Sequence, residues 1–485
     1  MNRGIRKVGG AVTVLLLVLV AQLTYLQIVN ASKLDNDPRN LRSVLRDINR
    51  ARGDIVSTDG EVLARSVAST DGSQFDYQRE YPLGGLTAQV VGYQSFVIGN
   101  MGIERSYNSA LAGRAAELRS LGDVLRGKET TGTVVLALRT AVQRAAADAL
   151  GDQRGSVVVL DVKTGGIVAM YSNPTYDPQP LAGHNTQAVN DYFTALSNDP
   201  AKPNLARAYQ EIYPPGSTFK IVTSAVAFDT GTATPQTVYP TTNSLDLPLT
   251  TNVLKNFGGA TCGGTVFESF VASCNTTFAK VGLDLGDKFP PGLERFGVEG
   301  EAPPLDVYPG AVRNTGLEGA DFQTDAPQFA FAGIGQGTVS TSPLAMAMVA
   351  ASVANGGVML EPRAATEIRD QDGAVVQRFG PSPWKTAMTP ATAQALNAMM
   401  RTVVERGTGT RAQIAGVAVA GKTGTAQNST GNPHAWFVGF APAEAPQYAV
   451  AVIVENGGTS SGDNATGGVV AAPIGARMLQ AALTP

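Results

Sequence analysis

The chain has 485 residues, of which 43% are hydrophobic, and this length predicts two or more domains with buried cores. A net charge of -3, with no basic run interleaved with aromatic residues, argues against nucleic acid as a partner. The metal-ligating side chains Cys262, Cys274, His184 and His434 are too few and too scattered for a zinc cluster, so we expect no metal and no cofactor.

The first predicted element is an apolar run from Val8 to Val29, preceded by basic residues. At about 1.5 Å per residue the run is long enough to cross about 30 Å of hydrocarbon. A cleaved signal peptide is the competing interpretation, but the run is long and no small-residue cleavage site follows it. We therefore predict a cytoplasmic tail (1–7), a transmembrane anchor (8–30) and a single-pass protein of the cell membrane. Because large downstream domains cross the membrane largely regardless of flanking charge, we place residues 31–485 outside the cytoplasm.

Residues 31–150 are predicted to form a small extended domain. Leu41–Ile48 resembles a short polar helix, and residues 51–64 predict two strands around the turn Asp59-Gly60. Residues 66–132 look irregular. A strand at Thr133–Leu136 and a helix at Arg139–Leu150 are expected to form the junction with the next domain.

Residues 151–485 predict a second, α/β domain in which a sheet flanked by helices is combined with an all-helical part. Strands are expected near both ends of this region, around a long stretch to residue 350 that is mostly helical or irregular. The predicted strands are 156–160, 167–170, 417–421, 435–440 and 448–455, and the predicted helices include 343–354 and about 469–482.

The most informative stretch runs from Tyr213 to Lys220, with the sequence YPPGSTFK. Two prolines and a glycine exclude helix before Ser217, and a good apolar helical pattern begins directly after it. Ser217 therefore lies near the start of a buried helix, with Lys220 one turn on, which suits a nucleophile and its base. An N-capping serine beside a surface lysine is the alternative, and Ser382–Lys385 repeats the same spacing by chance.

Three short motifs follow one another in a fixed order. They are Ser217-x-x-Lys220, Ser273-Cys274-Asn275 and Lys422-Thr423-Gly424-Thr425, a set typical of penicillin-interacting enzymes, in which the second motif often has aspartate in its centre. Each motif alone is weak, since Lys163-Thr164-Gly165 and Ser106-Tyr107-Asn108 are second copies that we interpret as turn residues. Order, spacing and local context together favour the catalytic interpretation.

Two other patterns are interpreted as coincidences. Residues 416–423 match a phosphate-binding loop in spacing, but the intervening residues are strand formers and no apolar helix follows. Residues 458–462 match the nucleophile elbow of α/β-hydrolases, but no histidine follows them to complete a triad. Cys262 and Cys274 are predicted to lie outside the cell, where either a disulfide or two buried thiols is compatible with the sequence.

The chain resembles the class B penicillin-binding proteins over nearly its whole length, most of all the penicillin-binding protein A group of actinobacteria. The resemblance rests on the segments RGDIVSTDGEVLA, GIERSYNSALAG, DVKTGGIVAMYSNPTYDP, YPPGSTFK, GIGQGTVSTSPLAMA, AGKTGTAQ and HAWFVGFAP. It implies a serine β-lactamase-like transpeptidase domain (151–485) behind an N-terminal pedestal or dimerisation-like domain. It also implies a D,D-transpeptidase that cross-links peptidoglycan stem peptides and is inhibited by β-lactam antibiotics.

The resemblance also suggests a role for each motif residue. Ser217 is the expected nucleophile and Lys220 its base, and Ser273, held by Lys220 and Lys422, is expected to relay the proton to the departing amine. Asn275 is expected to bind the substrate amide. The expected oxyanion hole is formed by the N–H groups of Ser217 and Thr425, and the expected carboxylate site by Lys422, Thr423, Gly424 and Thr425.

Two alternative functions remain open at this stage. One is a hydrolase on the same fold, either a D,D-carboxypeptidase or a β-lactamase, although the sequence shows no dedicated deacylating base. The other is a non-catalytic divisome scaffold or β-lactam sensor. For the transpeptidase, the expected partners are a glycosyltransferase or other divisome proteins at the membrane.

Overall fold

The computed structural model describes residues 3–25, 49–113, 131–428, 431–460 and 465–484. The strands are β1 (Ile55–Ser57), β2 (Val62–Ala68), β3 (Tyr77–Glu80), β4 (Thr133–Leu136), β5 (Gly155–Asp161), β6 (Ile167–Asn173), β7 (Val238–Thr242), β8 (Ser244–Asp246), β9 (Val253–Lys255), β10 (Cys262–Thr265), β11 (Val358–Leu360), β12 (Ala365–Arg369), β13 (Val375–Arg378), β14 (Pro383–Thr386), β15 (Ala420–Ala426), β16 (His434–Ala441) and β17 (Tyr448–Val454). The α-helices are α1 (Arg3–Thr24), α2 (Ala88–Val91), α3 (Gly102–Ser106), α4 (Asn108–Leu111), α5 (Thr140–Leu150), α6 (Thr186–Asn198), α7 (Arg207–Gln210), α8 (Lys220–Asp229), α9 (Val266–Val271), α10 (Asn275–Leu285), α11 (Phe289–Glu294), α12 (Phe322–Ala332), α13 (Pro343–Ala354), α14 (Pro390–Arg406) and α15 (Ala471–Leu483).

Helix α1 has the length and composition of a membrane span. Its segment Arg6–Thr24 has a mean hydropathy of 1.9 and packs against no other part of the described chain. Within the helix, the hydroxyls of Thr13 and Thr24 donate to the carbonyls of Gly9 and Val20, which removes the cost of placing them in an apolar medium. Residues 26–30 of the predicted anchor and the predicted helix 41–48 lie outside the described residues.

A six-stranded sheet, in the order β13-β12-β4-β1-β2-β3, contains most of the N-terminal strands. The predicted hairpin is confirmed, with Ile55 opposite Ala64 across β1 and β2. The prediction that residues 66–132 are irregular was wrong in part. Strand β2 continues to Ala68 and pairs with β3, and helices α2, α3 and α4 follow. These elements are only four to seven residues long, too short for sequence periodicity to reveal them, and residues 114–130 of the predicted range lie outside the described residues.

Strands from far along the chain complete this sheet. β12 pairs antiparallel with β4, so residues 365–369 lie beside residues 133–136. β13 then forms the sheet edge beside β12. The N-terminal region is therefore tied back to the rest of the chain through main-chain hydrogen bonds.

The second sheet, in the order β15-β16-β17-β5-β6, is antiparallel throughout. Its central strands are apolar on both faces because helices cover both sides. Val157 and Val159 pack with α5 and α15, whereas Val158 and Leu160 pack into the large core that includes α13. The predicted hairpin β5–β6 and the helices α5, α13 and α15 are confirmed, with the helix ends within two residues of the prediction and β6 ending three residues later than predicted.

One predicted strand had the wrong bounds. The sequence predicted a strand at 417–421, but β15 runs from Ala420 to Ala426 and contains the whole Lys422–Thr425 motif. Residue 417 makes only an isolated bridge with residue 414. Hydrogen bonding to β16, from Ala420 opposite Phe440 to Ala426 opposite His434, holds the glycine- and threonine-rich motif as a strand despite its low intrinsic propensity.

The stretch between the two halves of this sheet is mainly helical, as predicted, but it also contains two small two-stranded sheets, β7–β10 and β8–β9. These small sheets precede α9 and α10 and lie beside them. Their position matters because the Ser273-Cys274-Asn275 motif occupies the junction between α9 and α10.

Candidate active site

The candidate nucleophile Ser217 lies in a short turn at the start of a buried helix, as predicted. Residues Gly216–Phe219 form a single 3₁₀ turn that leads directly into α8. Ser217 is half-buried, and Lys220, the first residue of α8, is fully buried. The turn is tighter than an α-helix, so the serine is presented at the edge of the helix and not within it.

A glycine-rich loop supports this turn from below. Gly216 donates its backbone N–H to the carbonyl of Gly335 at 2.9 Å. Gly335 has φ +71°, and a Cβ there would overlap the carbonyl of Gly216 and the Cβ of Phe219. Only glycine fits this contact, which explains the segment GIGQG at residues 333–337.

Lys220 connects the nucleophile turn to the second motif. Its Nζ donates to the carbonyl of Ser273 at 2.7 Å and to Oδ1 of Asn275 at 2.9 Å, and lies 3.4 Å from Oγ of Ser273. The ring of Phe278 lies 5.4 Å from the same nitrogen. The described residues include no hydrogen bond between Lys220 Nζ and Ser217 Oγ.

Lys422 approaches Ser273 from the opposite side. Its Nζ donates to Ser273 Oγ at 2.8 Å and to the carbonyl of Thr423 at 3.1 Å, with the ring of Phe270 at 5.6 Å. Lys422 is fully buried, as Lys220 is. The hydroxyl of Ser273 therefore lies between two buried amines, and no carboxylate among the described residues pairs with either of them.

Burial determines the protonation of this pair. Burial lowers the pKa of Lys422 to about 7. Burial, and then the charge of Lys422, lower the pKa of Lys220 well below its ordinary value. A charge on Lys422 therefore disfavours a second charge on Lys220. At neutral pH one of the two is therefore available to accept a proton.

The second motif is held in a constrained conformation. Ser273 has φ +61°, a left-handed conformation that non-glycine residues adopt rarely and that costs about 1–3 kcal/mol. The neighbouring Cys274 is disulfide-bonded to Cys262 of β10, so of the two possibilities left open by the sequence the structure has the disulfide. The covalent link anchors the residue between Ser273 and Asn275.

The third motif lies on β15, the buried edge strand of the second sheet, and touches the nucleophile turn. A Cβ placed on Gly424 would lie 2.8 Å from the carbonyl of Pro215, so the two segments are in direct backbone contact. The hydroxyl of Thr425 accepts from the N–H of Gly467 at 3.3 Å, and its own hydrogen stays available. Strand β15 and the Ser217 turn therefore lie side by side.

The structure thus brings the predicted residues together. Lys220, Ser273, Asn275 and Lys422 are in direct contact, and the Ser217 turn lies against the Thr423–Thr425 strand. The second copies are elsewhere: Lys163–Gly165 forms the β5–β6 turn and Ser382–Lys385 enters β14. No group of three or more metal-ligating side chains occurs in the described part of the chain.

Some contacts were not predicted from the sequence. The hydroxyl of Thr408 lies 2.6 Å from that of Thr423, and the backbone carbonyl of Lys255 accepts from Asn275 Nδ2 at 3.2 Å. Neither residue belongs to a recognisable motif. The indole N–H of Trp436 donates to the carbonyl of Pro214 at 3.1 Å, and the only sequence signal for this contact was the segment HAWFVGFAP.

The fold and the site together define a serine acyl-transferase domain of the penicillin-binding type. Residues 155–480 match the penicillin-binding protein transpeptidase domain, and residues 52–135 match the penicillin-binding protein A dimerisation domain. The chain belongs to the class B penicillin-binding proteins.

Within this family the chain is similar to proteins of the PbpA group. It is 40% identical to the peptidoglycan D,D-transpeptidase PbpA of Mycolicibacterium smegmatis, over 100% of this chain and 99% of the relative. It is 37% identical to PbpA of Mycobacterium tuberculosis, with the same coverage. The structure superposes on penicillin-binding protein A from M. tuberculosis in its imipenem acyl-enzyme complex, with a TM-score of 0.81, 34% identity and coverage of 91% of this chain and 100% of that one. The penicillin G acyl-enzyme complex gives a TM-score of 0.80, 35% identity and coverage of 90% and 100%.

Proposed function

We propose that this protein is a peptidoglycan D,D-transpeptidase that forms an acyl-enzyme on Ser217 and is acylated by β-lactams. The observation that carries the proposal is the pair of buried lysines that meet at the hydroxyl of Ser273, directly behind the Ser217 turn. The names of the two PbpA relatives and the acyl-enzyme complexes of penicillin-binding protein A support the substrate class.

In the first step Ser217 Oγ attacks the carbonyl carbon of the penultimate D-alanine. Lys220 is the base, because burial among apolar side chains and the nearby charge of Lys422 favour its neutral form. The hydrogen bonds of Lys220 to Ser273 and Asn275 hold its nitrogen close to the serine turn. Proton removal and attack then occur within one small, water-poor site.

The departing amine needs a proton, and Ser273 is placed to deliver it. Its hydroxyl contacts the nitrogens of both lysines, so a proton taken by Lys220 passes through Ser273 to the leaving D-alanine. The amine of a second stem peptide then attacks the acyl carbon and gives its proton to Lys220. The ester bond to Ser217 breaks, Lys220 returns the proton to Ser217 Oγ, and the new amide bond is the cross-link.

Strand β15 binds and polarises the substrate in this proposal. The backbone N–H groups of Ser217 and Thr425 form the oxyanion hole, where each donor typically contributes about 3 kcal/mol of transition-state stabilisation. Lys422, Thr423, Gly424 and Thr425 receive the terminal carboxylate, and Asn275 Nδ2 donates to the substrate amide. Gly424 packs directly against the carbonyl of Pro215, which places the two halves of this site side by side.

The cellular setting is inferred from helix α1. We propose that this helix anchors the protein and that the catalytic domain works outside the cytoplasm, next to a glycosyltransferase or other divisome partner that supplies new glycan strands. The domain boundaries proposed with this arrangement are residues 31–150 for the pedestal and 151–485 for the transpeptidase domain.

The test is covalent labelling with a fluorescent penicillin. We expect the full chain in detergent to be labelled and Ser217→Ala to lose all labelling, with the acylated peptide identified by mass spectrometry as the one that contains Ser217. Ser382→Ala is the matched control, because it alters the second Ser-x-x-Lys pattern, and it should label as the wild type does.

Labelling of the Ser217→Ala variant would overturn the assignment of the nucleophile. The lifetime of the label separates the transpeptidase from a β-lactamase: we expect the penicilloyl enzyme to persist for many minutes. Loss of the label within seconds would instead indicate a hydrolase.

A further inference from the structure

The segment that precedes Ser217 is held by its first residue, Tyr213. Tyr213 forms two backbone hydrogen bonds with Thr341, of 3.0 and 2.9 Å, and its side chain is buried. The ring lies edge-on to the rings of His434 and Trp436, with centroids 5.4 and 6.2 Å away. The tyrosine therefore joins the nucleophile segment to strand β16.

The hydroxyl of Tyr213 donates a hydrogen bond to a largely buried carboxylate. It donates to Oε1 of Glu455 at 2.8 Å, and Arg207 donates its Nε to the same oxygen at 2.8 Å. The second oxygen, Oε2, pairs with Arg154 at 3.2 Å. Glu455 follows directly on strand β17, so the carboxylate is attached to the centre of the catalytic sheet.

Arg207 is buried, and its guanidinium nitrogens are all hydrogen-bonded. Its side chain is only 1% exposed, and its two terminal nitrogens donate to the carbonyls of Lys202 and Ala201 at 3.0 and 2.7 Å. It therefore holds Glu455 in place while Glu455 holds Tyr213. A buried ion pair of this kind is often no more stabilising than an apolar replacement, so stability alone does not account for it.

The two prolines after Tyr213 connect it to the Ser217 turn and contact strands β15 and β16. Pro214 accepts from the indole of Trp436, and Pro215 is in backbone contact with Gly424 of β15. A shift of the Tyr213 ring would therefore move the Ser217 turn relative to β15. Those two segments carry the backbone N–H groups proposed to form the oxyanion hole.

We propose that Tyr213 and Glu455 are positioning residues for acylation. The Tyr213–Glu455–Arg207 chain sets the distance between the Ser217 turn and Thr425, and its effect is on the chemical step, not on the binding of the β-lactam or peptide. This inference rests on the function proposed above, because it assumes that Ser217 is the nucleophile.

The test uses Tyr213→Phe, which keeps the ring and removes one hydrogen bond. We expect the first-order acylation constant with a fluorescent penicillin to fall about tenfold, while the dissociation constant of the non-covalent complex changes less than about twofold, because a small displacement of reacting groups is costly in rate. Tyr209→Phe is the matched control. Tyr209 is also buried, and its hydroxyl donates to the carbonyl of Gln89 at 3.0 Å, away from the nucleophile turn.

A second measurement uses Glu455→Asp, which keeps the charge beside Arg207 but shortens its reach. We expect it to slow acylation and expect Tyr213→Phe to add little in the double variant, because both changes break the same contact. Additive losses in the double variant would overturn the proposal. So would wild-type acylation by Tyr213→Phe, or equal losses in Tyr213→Phe and Tyr209→Phe.

The two proposals fail in different ways. If Ser217→Ala is still labelled, the proposed function fails. If Ser217→Ala is unlabelled but Tyr213→Phe acylates at the wild-type rate, only the positioning role fails.

Discussion

Two clusters of buried charge in this protein show opposite designs. In the N-terminal region Glu104 accepts from the Nε atoms of Arg52 and Arg79, both at 2.6 Å, and all three side chains are at most 2% exposed. Behind the Ser217 turn two lysines, Lys220 and Lys422, are equally buried but share a serine hydroxyl in place of a carboxylate.

The difference lies in what burial does to the charge. Burial alone would raise the pKa of Glu104, but the two arginines outweigh it and its pKa is lowered, so the carboxylate remains ionised. The lysines have no such compensation among the described residues, and burial lowers the pKa of both. A compensated cluster contributes to structure, whereas an uncompensated one supplies a reactive amine.

Removal of one lysine of the catalytic pair is expected to change the acylation rate most. Lys220→Met removes the base but keeps the length of the side chain, so we expect β-lactam acylation to fall about a thousandfold. Because the change also removes a buried amine, the temperature of unfolding should stay the same or rise. Stopped-flow labelling and thermal denaturation measure the two quantities. Lys385→Met, in the second Ser-x-x-Lys pattern, is the control, and wild-type acylation by Lys220→Met would contradict the comparison.

Neutralising Glu104 removes the counter-charge of Arg52 and Arg79 in the N-terminal cluster. Glu104→Gln leaves two buried arginines without a counter-charge, so we expect the free energy of unfolding to fall by about 3 kcal/mol or more. The acylation rate of the molecules that remain folded should not change. Denaturant unfolding and labelling measure these effects, with the exposed pair of Glu61 and Arg144 as the control, where Glu61→Gln should cost less than about 1 kcal/mol.

The pH dependence of this cluster also has a definite sign. The folded pKa of Glu104 is below the ordinary value of 4.5, so its contribution to stability is present above that pH and is lost as the pH falls through the folded value. In Glu104→Gln this part of the acid destabilisation should be missing. An unchanged acid profile would contradict the assignment.

The protonation of the two lysines should also appear in the pH dependence of the acylation rate. The rate should fall at acid pH, where Lys220 becomes protonated and no longer accepts the serine proton. It should also fall as the pH rises past about 7, because Lys422 then loses the charge that binds the carboxylate. Each limb should approach tenfold per pH unit.

Lys422→Arg tests the alkaline limb, because arginine stays protonated at these pH values. We expect that limb to disappear while the acid limb remains. Lys163→Arg, in the second Lys-Thr-Gly sequence, should leave both limbs unchanged. An alkaline limb that persists in Lys422→Arg would show that another group is responsible.

The local pattern of the sequence was sufficient for the nucleophile turn and the main helices. Two prolines and a glycine before Ser217, followed by an apolar helical repeat, specify a helix start at that point whatever the rest of the chain does. The same is true of α13, with proline at its start and glycines after its end. Continuous apolar strands such as β5 and β17 were visible for the same reason.

Other features depended on residues that are far apart in the chain. The strand at 420–426 exists because β16 pairs with it, and the N-terminal sheet is completed by β12 and β13 from more than 200 residues away. A glycine-rich strand and strands of only four or five residues carry no clear periodic signal of their own, so these pairings were misplaced or missed.

Short-range features of the sequence were enough to predict the candidate site residues and the helix start at Ser217, because composition and spacing act within a few turns of chain. The packed fold was needed to establish that Cys262 bonds to Cys274, that both lysines are buried without a carboxylate partner among the described residues, and that Glu455 reaches Tyr213. Those properties arise from burial and distance, which exist only after remote segments have packed together.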